Sequence, residues 1–329
     1  MSGTVREAKM DLSRDEACLE HARLFGESGL PGGIGGARHV LELGDDLFPD
    51  ALARIPDPPK KLYVLGEASA LEEGLAVIGA RKATPYGLLC ARTFASIAAS
   101  RGVTIISGGA LGCDSAAHKA ALDAGGKTVV FLGGGCDALY PRKNLGLFRE
   151  VVEKGGALVS EHEWDFPPLP YTFRARNRLI AGLAKATLIV EAGVPSGTFS
   201  TADDALSANR EVLAVPGSIA SPHSRGSNHL ICQGATPIVD RETFDDALFS
   251  LFGCLRVQDA RSRRHVEDPV LDAIRSDPMS VDELVAAGFG RNEGRGAAAW
   301  VSAHLAKLQS RGVVVRHADG RFGPASLDL

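Results

Sequence analysis

From residue 75 onward, short apolar runs alternate with stretches of helical character, and this rhythm constrains the fold more than any other feature. The runs are three to five residues long and rich in Val, Ile and Leu, without polar alternation. Such runs are typical of parallel strands buried on both faces. Helical segments at 87–100, 115–124 and 201–209 lie between them, so we predict a doubly wound α/β fold with a mostly parallel sheet. The predicted strands are Leu75–Ile78, Val103–Ile106, Thr128–Leu132, Ala157–Val159, Thr187–Val190, Val212–Val215 and Thr236–Val239.

The region before this rhythm is predicted to be a small helical region at 1–60, of helix–hairpin–helix or SAM-like type. Its glycine-rich segment 29–37 is followed by Arg38–Leu41, which we expect to begin a helix. A glycine hairpin running into a helix can present backbone N–H groups to a phosphate. The same pattern also fits a tight connection between two helices of a bundle, and both interpretations stay open.

The C-terminal residues predict a different, smaller unit. Three helical segments precede Val313–Val315 and a hairpin turn at 318–320, the element order of a winged helix. We therefore place an α/β domain at 61–257, a linker at 258–267 and a winged-helix domain at 268–329. The third helix exposes few groups able to read bases, chiefly His304, Lys307 and Arg311. This favours a protein contact or a weak DNA contact over sequence-specific readout.

Charge and cysteine usage exclude several classes of protein. With 36 basic and 40 acidic residues the net charge is −4, so a polyanion would have to be held by a local patch. The six cysteines are scattered without a CxxC pair, which argues against a zinc ribbon or a thioredoxin-type site. The N-terminus lacks the apolar core of a secretory signal. We expect a cytoplasmic protein that has no membrane partner.

Three predicted strand ends release glycine or small polar residues directly into a helix. In an open α/β sheet, ligands bind at the carboxyl ends of the strands, where glycine lets backbone N–H groups approach an anion. Three such loops at one sheet edge predict a phosphate-binding pocket. Its candidate residues are Gly79, Arg81, Lys82, Ser107, Gly108, Gly109, Ser196 and Gly197.

The loops do not match the sequence patterns that bind common nucleotide cofactors. Arg81 stands where GxGxxG would need bare backbone, and the chain has no GxxxxGK[ST] loop, which disfavours nicotinamide cofactors and ATP. Catalytic patterns are also poor. There is no GxSxG elbow, and His118 four residues after Asp114 fits a stiffened helical turn better than a general base. We expect no cofactor, no metal and no enzymatic turnover.

A cationic helix completes the candidate site. Arg174, Asn177 and Arg178 fall on one face at i, i+3 and i+4, and Phe173 precedes them. Cations beside an aromatic ring and glycine loops fit a single-stranded nucleic acid site. Arg176 lies at the edge of the inward stripe, where pairing with a carboxylate such as Glu161 or Glu191 is the slightly favoured alternative to DNA binding.

These segments together resemble the DprA/Smf family of DNA-processing proteins. The matching pieces run in the family's order over residues 76–235, as AVIGARKATPYG, SGGALGCDSAAHKAAL, VFLGGGCDALYPRKN, SEHEWDFPPLPYTFRARNRLIAGLAKATLIVEA, SGTFSTADDAL, VLAVPGS and SNHLICQGA.

The resemblance implies an extended Rossmann-like domain that binds single-stranded DNA without turnover. It also implies a homodimer that protects incoming DNA and loads the recombinase RecA onto it during natural transformation. The family's DNA pocket falls on Arg81, 107–109, Phe173 and 176–178. Ala80 and Cys113 depart from the family's usual residues, but neither departure removes a charge.

An alternative from another class is a nucleoside-monophosphate hydrolase of the lysine-decarboxylase-like family. Those enzymes belong to a related family, but they need the motif PGGxGTxxE, in which the Glu is the catalytic residue. At the matching strand end this chain has the sequence PSGTFST at 195–201. The missing Glu disfavours this alternative.

Overall fold

The computed structural model describes residues 33–194, 197–254, 268–291 and 296–325. In these ranges one sheet has nine strands in the order β1-β2-β6-β5-β4-β3-β7-β8-β9. Strands β3 to β9 run parallel, whereas β2 is antiparallel to both of its neighbours. The strands are β1 (Arg38–Glu42), β2 (Lys61–Gly66), β3 (Gly74–Ile78), β4 (Ile105–Ser107), β5 (Thr128–Phe131), β6 (Ala157–Ser160), β7 (Ala184–Ile189), β8 (Glu211–Ala214) and β9 (Thr236–Pro237).

Each of the seven predicted apolar runs overlaps one of the strands β3 to β9, and the mostly parallel α/β sheet is confirmed. The reason lies in the packing of both faces. In β3, Ala76 and Ile78 join one hydrophobic cluster, while Leu75 and Val77 join a second cluster on the other side. Both faces exclude water, so no polar alternation is needed.

Helices cover the two faces of this sheet. The three helices predicted between the strands begin two or three residues earlier than the sequence indicated. The first of them follows Thr84, whose side chain caps its N-terminus. The helices of this part are α1 (Asp50–Ala53), α2 (Pro85–Ser100), α3 (Cys113–Asp123), α4 (Leu145–Glu153), α5 (Pro170–Leu183), α6 (Thr198–Ser207), α7 (Arg225–Cys232) and α8 (Arg241–Phe252).

The helix expected to begin at Arg38 is wrong. Residues Arg38–Glu42 form β1, which pairs with β2 in antiparallel register. The buried strand β2 offers a row of backbone partners, and a helix this short has too few hydrogen bonds of its own to compete. Residues 38–42 therefore belong to the sheet. Of the glycine-rich segment 29–37, residues 29–32 lie outside the described residues, and 33–37 lead into β1 without forming a helix.

The C-terminal part has its own hydrophobic core. Helices α9 (Pro269–Ser276), α10 (Val281–Ala286) and α11 (Ala297–Ser310) precede a hairpin of β10 (Val314–Arg316) and β11 (Phe322–Pro324). Leu284, Leu305 and Val314 are among its buried residues. The order of elements matches the sequence expectation. The predicted linker 258–267 lies outside the described residues, and the remaining domain limits stay predictions.

Candidate nucleic-acid interface

A cavity of about 830 Å³ opens at the carboxyl edge of the sheet. From β3 the chain adds strands β4 to β6 on one side, and it then returns to add β7 to β9 on the other side. This reversal makes the edge beside β3 and β7 a topological switch point, where open α/β sheets bind ligands. The cavity is lined by 78–82 after β3 and by Gly193 and 197–201 after β7. The loop after β4 also reaches it, through Ala110, so all three predicted loops converge on the cavity.

Three cationic side chains of the cavity wall are exposed: Arg81, Lys82 and Arg174. Within the part of the chain that the structure describes, none of them forms an ion pair. The Arg81 guanidinium carbon lies 5.8 Å from the centroid of the Phe173 ring, within the range of a cation–π contact. These charges remain available to an anionic ligand, and an aromatic face lies beside them.

Helix α5 supplies the second wall. Phe173, Asn177 and Ile180 recur at i, i+4 and i+7 and therefore share the face that lines the cavity. The Asn177 amide donates a 3.0 Å hydrogen bond to the Ser200 hydroxyl, which donates at 2.8 Å to the Gly197 carbonyl. Asn177 thereby fixes the first turn of α6 against α5. A Cβ on Gly197 would meet no described atom within 4 Å, so the backbone there is open.

Arg176 is buried, and its place in the structure differs from the sequence interpretation. Its Nη1 donates to the carbonyl of Gly108 at 2.7 Å and to that of Phe131. Burial lowers the pKa of Arg176 to about 10, although the nearby Asp114 opposes this shift. The suggested pairing with Glu161 or Glu191 is wrong: Glu161 binds Arg178, and Glu191 accepts from Thr84. Arg176 holds two strand ends together at the cavity floor.

The loop after β4 reaches the cavity at Ala110, but two of its backbone N–H groups are already bonded within the protein. The Ser107 hydroxyl donates to the Val77 carbonyl at 2.7 Å. Asp114 Oδ2 accepts from the backbone N–H groups of Gly108 and Ala110 at 3.2 and 3.4 Å. A carboxylate of the protein therefore occupies the place predicted for a phosphate.

The glycines of this loop are required by packing. A Cβ on Gly108 would lie 2.4 Å from Arg176 Nη1, and one on Gly109 would lie 2.7 Å from Val130 Cγ1. Gly109 also has φ of +66°, which a β-branched residue adopts only with strain. Packing within the protein thus excludes a side chain at both positions, and the approach of an anion to this loop stays a prediction. After β3, Gly79 is required for a similar reason, since a Cβ would lie 2.6 Å from the Cys113 sulfur.

Arg178 also differs from its expected role, because it does not line the cavity. Its guanidinium forms two hydrogen bonds with Glu161, at 3.0 and 2.6 Å, and contacts Asp57 at 2.9 Å. The helical periodicity placed Arg178 correctly on α5, but it could not reveal the two carboxylates that neutralise it.

We expect Arg178→Ala to leave single-strand affinity within about twofold of wild type while lowering stability. The change leaves Glu161, which is largely buried, without its partner, and breaking such a pair costs up to about 3 kcal/mol. Urea unfolding and an oligonucleotide titration of the same preparation measure the two effects. A large loss of affinity in a fully folded variant would return Arg178 to the binding site.

His118 is buried away from the cavity and does not pair with Asp114. Its Nδ1 lies 2.7 Å from the Thr128 hydroxyl oxygen, and burial lowers the pKa of His118 to about 3. The imidazole is therefore neutral at physiological pH. Among the described residues, no group of three or more His, Cys, Asp or Glu side chains is placed to hold a metal ion.

Sequence reasoning missed several residues of the cavity. Asp203 and His223 line it, together with Thr201 on the first turns of α6. Asp203 could have been predicted, because a helix that begins after Gly197 places it within its first two turns, close to the loop that lines the cavity. No comparable signal marked His223. The predicted residue Ser196 lies outside the described residues.

Comparison with known proteins identifies the family of this chain. The family model described as DNA recombination-mediator protein A matches residues 39–248, from β1 into α8. The chain belongs to the DNA recombination-mediator protein A family. The DprA/Smf resemblance of the sequence is thereby confirmed, and the family match contains every described wall of the cavity. Residues 268–325 lie beyond the match.

Among relatives of this family, the chain is 44% identical over 205 residues to Protein Smf of Escherichia coli. It is 34% identical over 212 residues to the DNA processing protein DprA of Bacillus subtilis. These alignments cover 62% and 64% of this chain, and 55% and 71% of the respective relatives. The aligned part thus spans little more than half of the E. coli protein.

Solved structures of family members share this fold. The DNA processing protein A of Streptococcus pneumoniae aligns with a TM-score of 0.59 at 34% identity, covering 63% of this chain and 72% of that one. The Helicobacter pylori protein, whose structure addresses its single-stranded DNA binding mode, aligns with a TM-score of 0.60 at 32% identity. That alignment covers 67% of this chain and 99% of the H. pylori chain.

No helix in the described ranges combines the length and the apolar character that crossing a bilayer would require.

Proposed function

We propose that this chain binds single-stranded DNA in the cavity at the carboxyl edge of the sheet, as a DNA-processing protein of natural transformation. The observation that carries the proposal is the meeting of exposed Arg81, Lys82 and Arg174, which form no ion pair among the described residues, with the Phe173 ring at one switch-point cavity. Free cations follow a phosphate backbone, and an aromatic face stacks an unpaired base. Membership of the family and the H. pylori relative support the same ligand.

The cavity favours a single strand over a duplex for a geometric reason. Phe173 lies within the wall, with Tyr140 packed edge-on against it at 5.7 Å between ring centroids. A base can reach such a ring only after it leaves the base stack. In a duplex this unstacking and unpairing costs a few kcal/mol. Stacking of the base on the aromatic ring returns about 1–3 kcal/mol. A single strand needs no unpairing.

The roles of the predicted residues divide accordingly. Arg81, Lys82 and Arg174 contact the backbone, Phe173 stacks a base, and Gly79 and Gly197 keep the adjoining backbone close to the strand. Arg176 and Asn177 position the walls. Ser107, Gly108, Gly109 and Arg178 support the site through their internal contacts. Ser196 stays a predicted contact.

The direct experiment is a fluorescence anisotropy titration of the full chain with one labelled oligonucleotide, single-stranded or annealed to its complement. We expect the single strand to bind at least about tenfold more tightly, given the cost of unpairing a base. Equal affinity for both forms would contradict the proposed stacking site.

The proposed role continues beyond binding. A homodimer of this chain would protect the incoming strand and load the recombinase RecA onto it, acting in the cytoplasm without turnover and without a cofactor. These finer statements rest on the family. Analytical ultracentrifugation tests the dimer, and RecA filament formation on strands coated with a single-strand binding protein tests the loading.

We expect no release of free base when the chain is incubated with nucleoside monophosphates. The first turn of α6 carries Thr201 and no Glu near the place where the related hydrolases need a carboxylate. Chromatography of the reaction against a buffer control measures the product. Turnover that disappears in Asp203→Asn would move the function to the hydrolase alternative.

The C-terminal helices and hairpin, which we propose to form a winged helix, should add little to DNA affinity. On α11, His304 is bonded to Asp268 at 2.7 Å and stacks on Trp300, so it is not the exposed base-reading group expected from the sequence. A chain ending at residue 256 should keep most of its binding free energy at two salt concentrations, because every described wall of the cavity remains. Loss of most binding at both salts would place the DNA site in the C-terminal part.

A further inference from the structure

The cavity carries an acidic residue that its cations do not neutralise. Asp203 on α6 lines the same cavity as Arg81, Lys82 and Arg174. Within the described residues it forms no hydrogen bond and no ion pair. The other carboxylate of the wall, Asp114, accepts from two backbone N–H groups. Of these two acids, Asp203 alone has its acceptor capacity unused.

An unpaired carboxylate in a site for a polyanion must be explained, because it repels every phosphate that comes close. A strand passing through the cavity would therefore keep its phosphates near the cations and present something else to Asp203. The groups of DNA that a carboxylate attracts are the N–H donors on base edges. In single strands these edges are free of their complement.

We propose that Asp203 reads a base, by accepting hydrogen bonds from adjacent N–H donors on its Watson–Crick edge. Guanine offers two such donors side by side, N1–H and the N2 amino group, which match the two oxygens of a carboxylate. Thymine offers one N–H flanked by two carbonyl oxygens, which a carboxylate repels. The inference rests on the proposed function and adds to it a preference for guanine at one position.

The dimensions and the neighbours of the cavity suit a base. Its volume of about 830 Å³ lies within the range of pockets that enclose small organic ligands. Phe173 and Asp203 line it from α5 and α6, and Asn177 joins these helices through Ser200. In the proposed arrangement one base meets this aromatic face and this carboxylate, on walls that the bond from Asn177 to Ser200 joins.

The adjacent residue Asp204 provides a matched control. It lies on the same helix and carries the same charge, but it does not line the cavity. Asp204 is half-buried. Its burial, and to a smaller extent repulsion from Asp203, raise the pKa of Asp204. Replacing either acid by Asn removes one carboxylate from α6, but only Asp203→Asn changes the cavity wall.

The test compares three single strands of equal length in a lithium buffer: oligo-dT, alternating dT-dG, and alternating dT-dI, in which hypoxanthine lacks the N2 amino group. We expect wild type to bind dT-dG about tenfold more tightly than oligo-dT, with dT-dI in between, as for a bidentate contact. Asp203→Asn should remove this order, and Asp204→Asn should keep it.

Three results would overturn the proposal while leaving DNA binding intact. They are equal affinity of wild type for the three strands, an unchanged order in Asp203→Asn, and an equal gain for all strands in that variant, which is the mark of simple repulsion. Failure of wild type to bind any of the strands would instead contradict the proposed function itself.

Discussion

The double variant Arg81→Ala/Arg174→Ala should bind single-stranded DNA about 100-fold more weakly than wild type at low salt. Each arginine is exposed on the cavity wall and lacks an ion pair among the described residues, so each is available to a phosphate. A hydrogen bond to a charged group contributes about 1.5 kcal/mol or more, and two of them give this factor. The loss should be similar for all sequences, since phosphates carry no sequence information.

The salt dependence of binding identifies these contacts as phosphate contacts. Each one lost should reduce the slope of log affinity against log salt by about 0.7, or about 1.4 for the pair. Arg149→Ala is the matched control, because Arg149 is an exposed arginine on α4 that does not line the cavity. Unchanged affinity and slope in the double variant would refute this placement of the backbone.

Gly109→Val should destabilise the fold by roughly 3–5 kcal/mol, and DNA binding should be lost only as the folded fraction falls. The residue adopts φ of +66°, and a Cβ would lie 2.7 Å from Val130 and 2.8 Å from Phe148 in the core. The variant therefore combines backbone strain with overpacking. Urea unfolding measures the free energy, and a titration at a temperature where the variant is folded measures affinity.

Gly125→Val separates the two contributions. Gly125 has φ of +74°, but no described atom lies within 4 Å of a Cβ built there. It should show the backbone strain alone, so the difference between the two variants reports the overpacking at Gly109. A Gly109→Val variant as stable as Gly125→Val and unable to bind DNA would restore the anion cradle predicted for this loop.

The strands of the parallel sheet could be predicted because burial on both faces leaves a local mark: Leu75 and Ala76 point into opposite clusters, and both must be apolar. The edge strand β1 could not, since Arg38–Glu42 has few features of its own and becomes a strand by pairing with β2. Prediction thus succeeded where a segment's own side chains decide its conformation.

The same distinction applies to the site. The positions of Arg81 and Phe173 on the cavity wall could be predicted, because Arg81 follows a strand end and Phe173 lies on a helix face. Both features are local to their own segments. The ion pairs of Arg178 could not be predicted because its partners, Asp57 and Glu161, come from other segments. Likewise, Asp114 fills the loop after β4 through a contact that spacing alone does not distinguish from a helical cap. Partner choice between distant segments is a tertiary property.

The most direct test of the DNA site is a photocrosslink from a guanine-free single strand in which thymine is replaced by 5-iodouracil. Irradiation of the complex with the full chain, followed by digestion and mass spectrometry, identifies the residue that stacks on the base. We expect a crosslink to Phe173 that is lost in Phe173→Leu and kept in Arg149→Ala. Crosslinks confined to residues 268–325, with none on α5, would contradict this expectation.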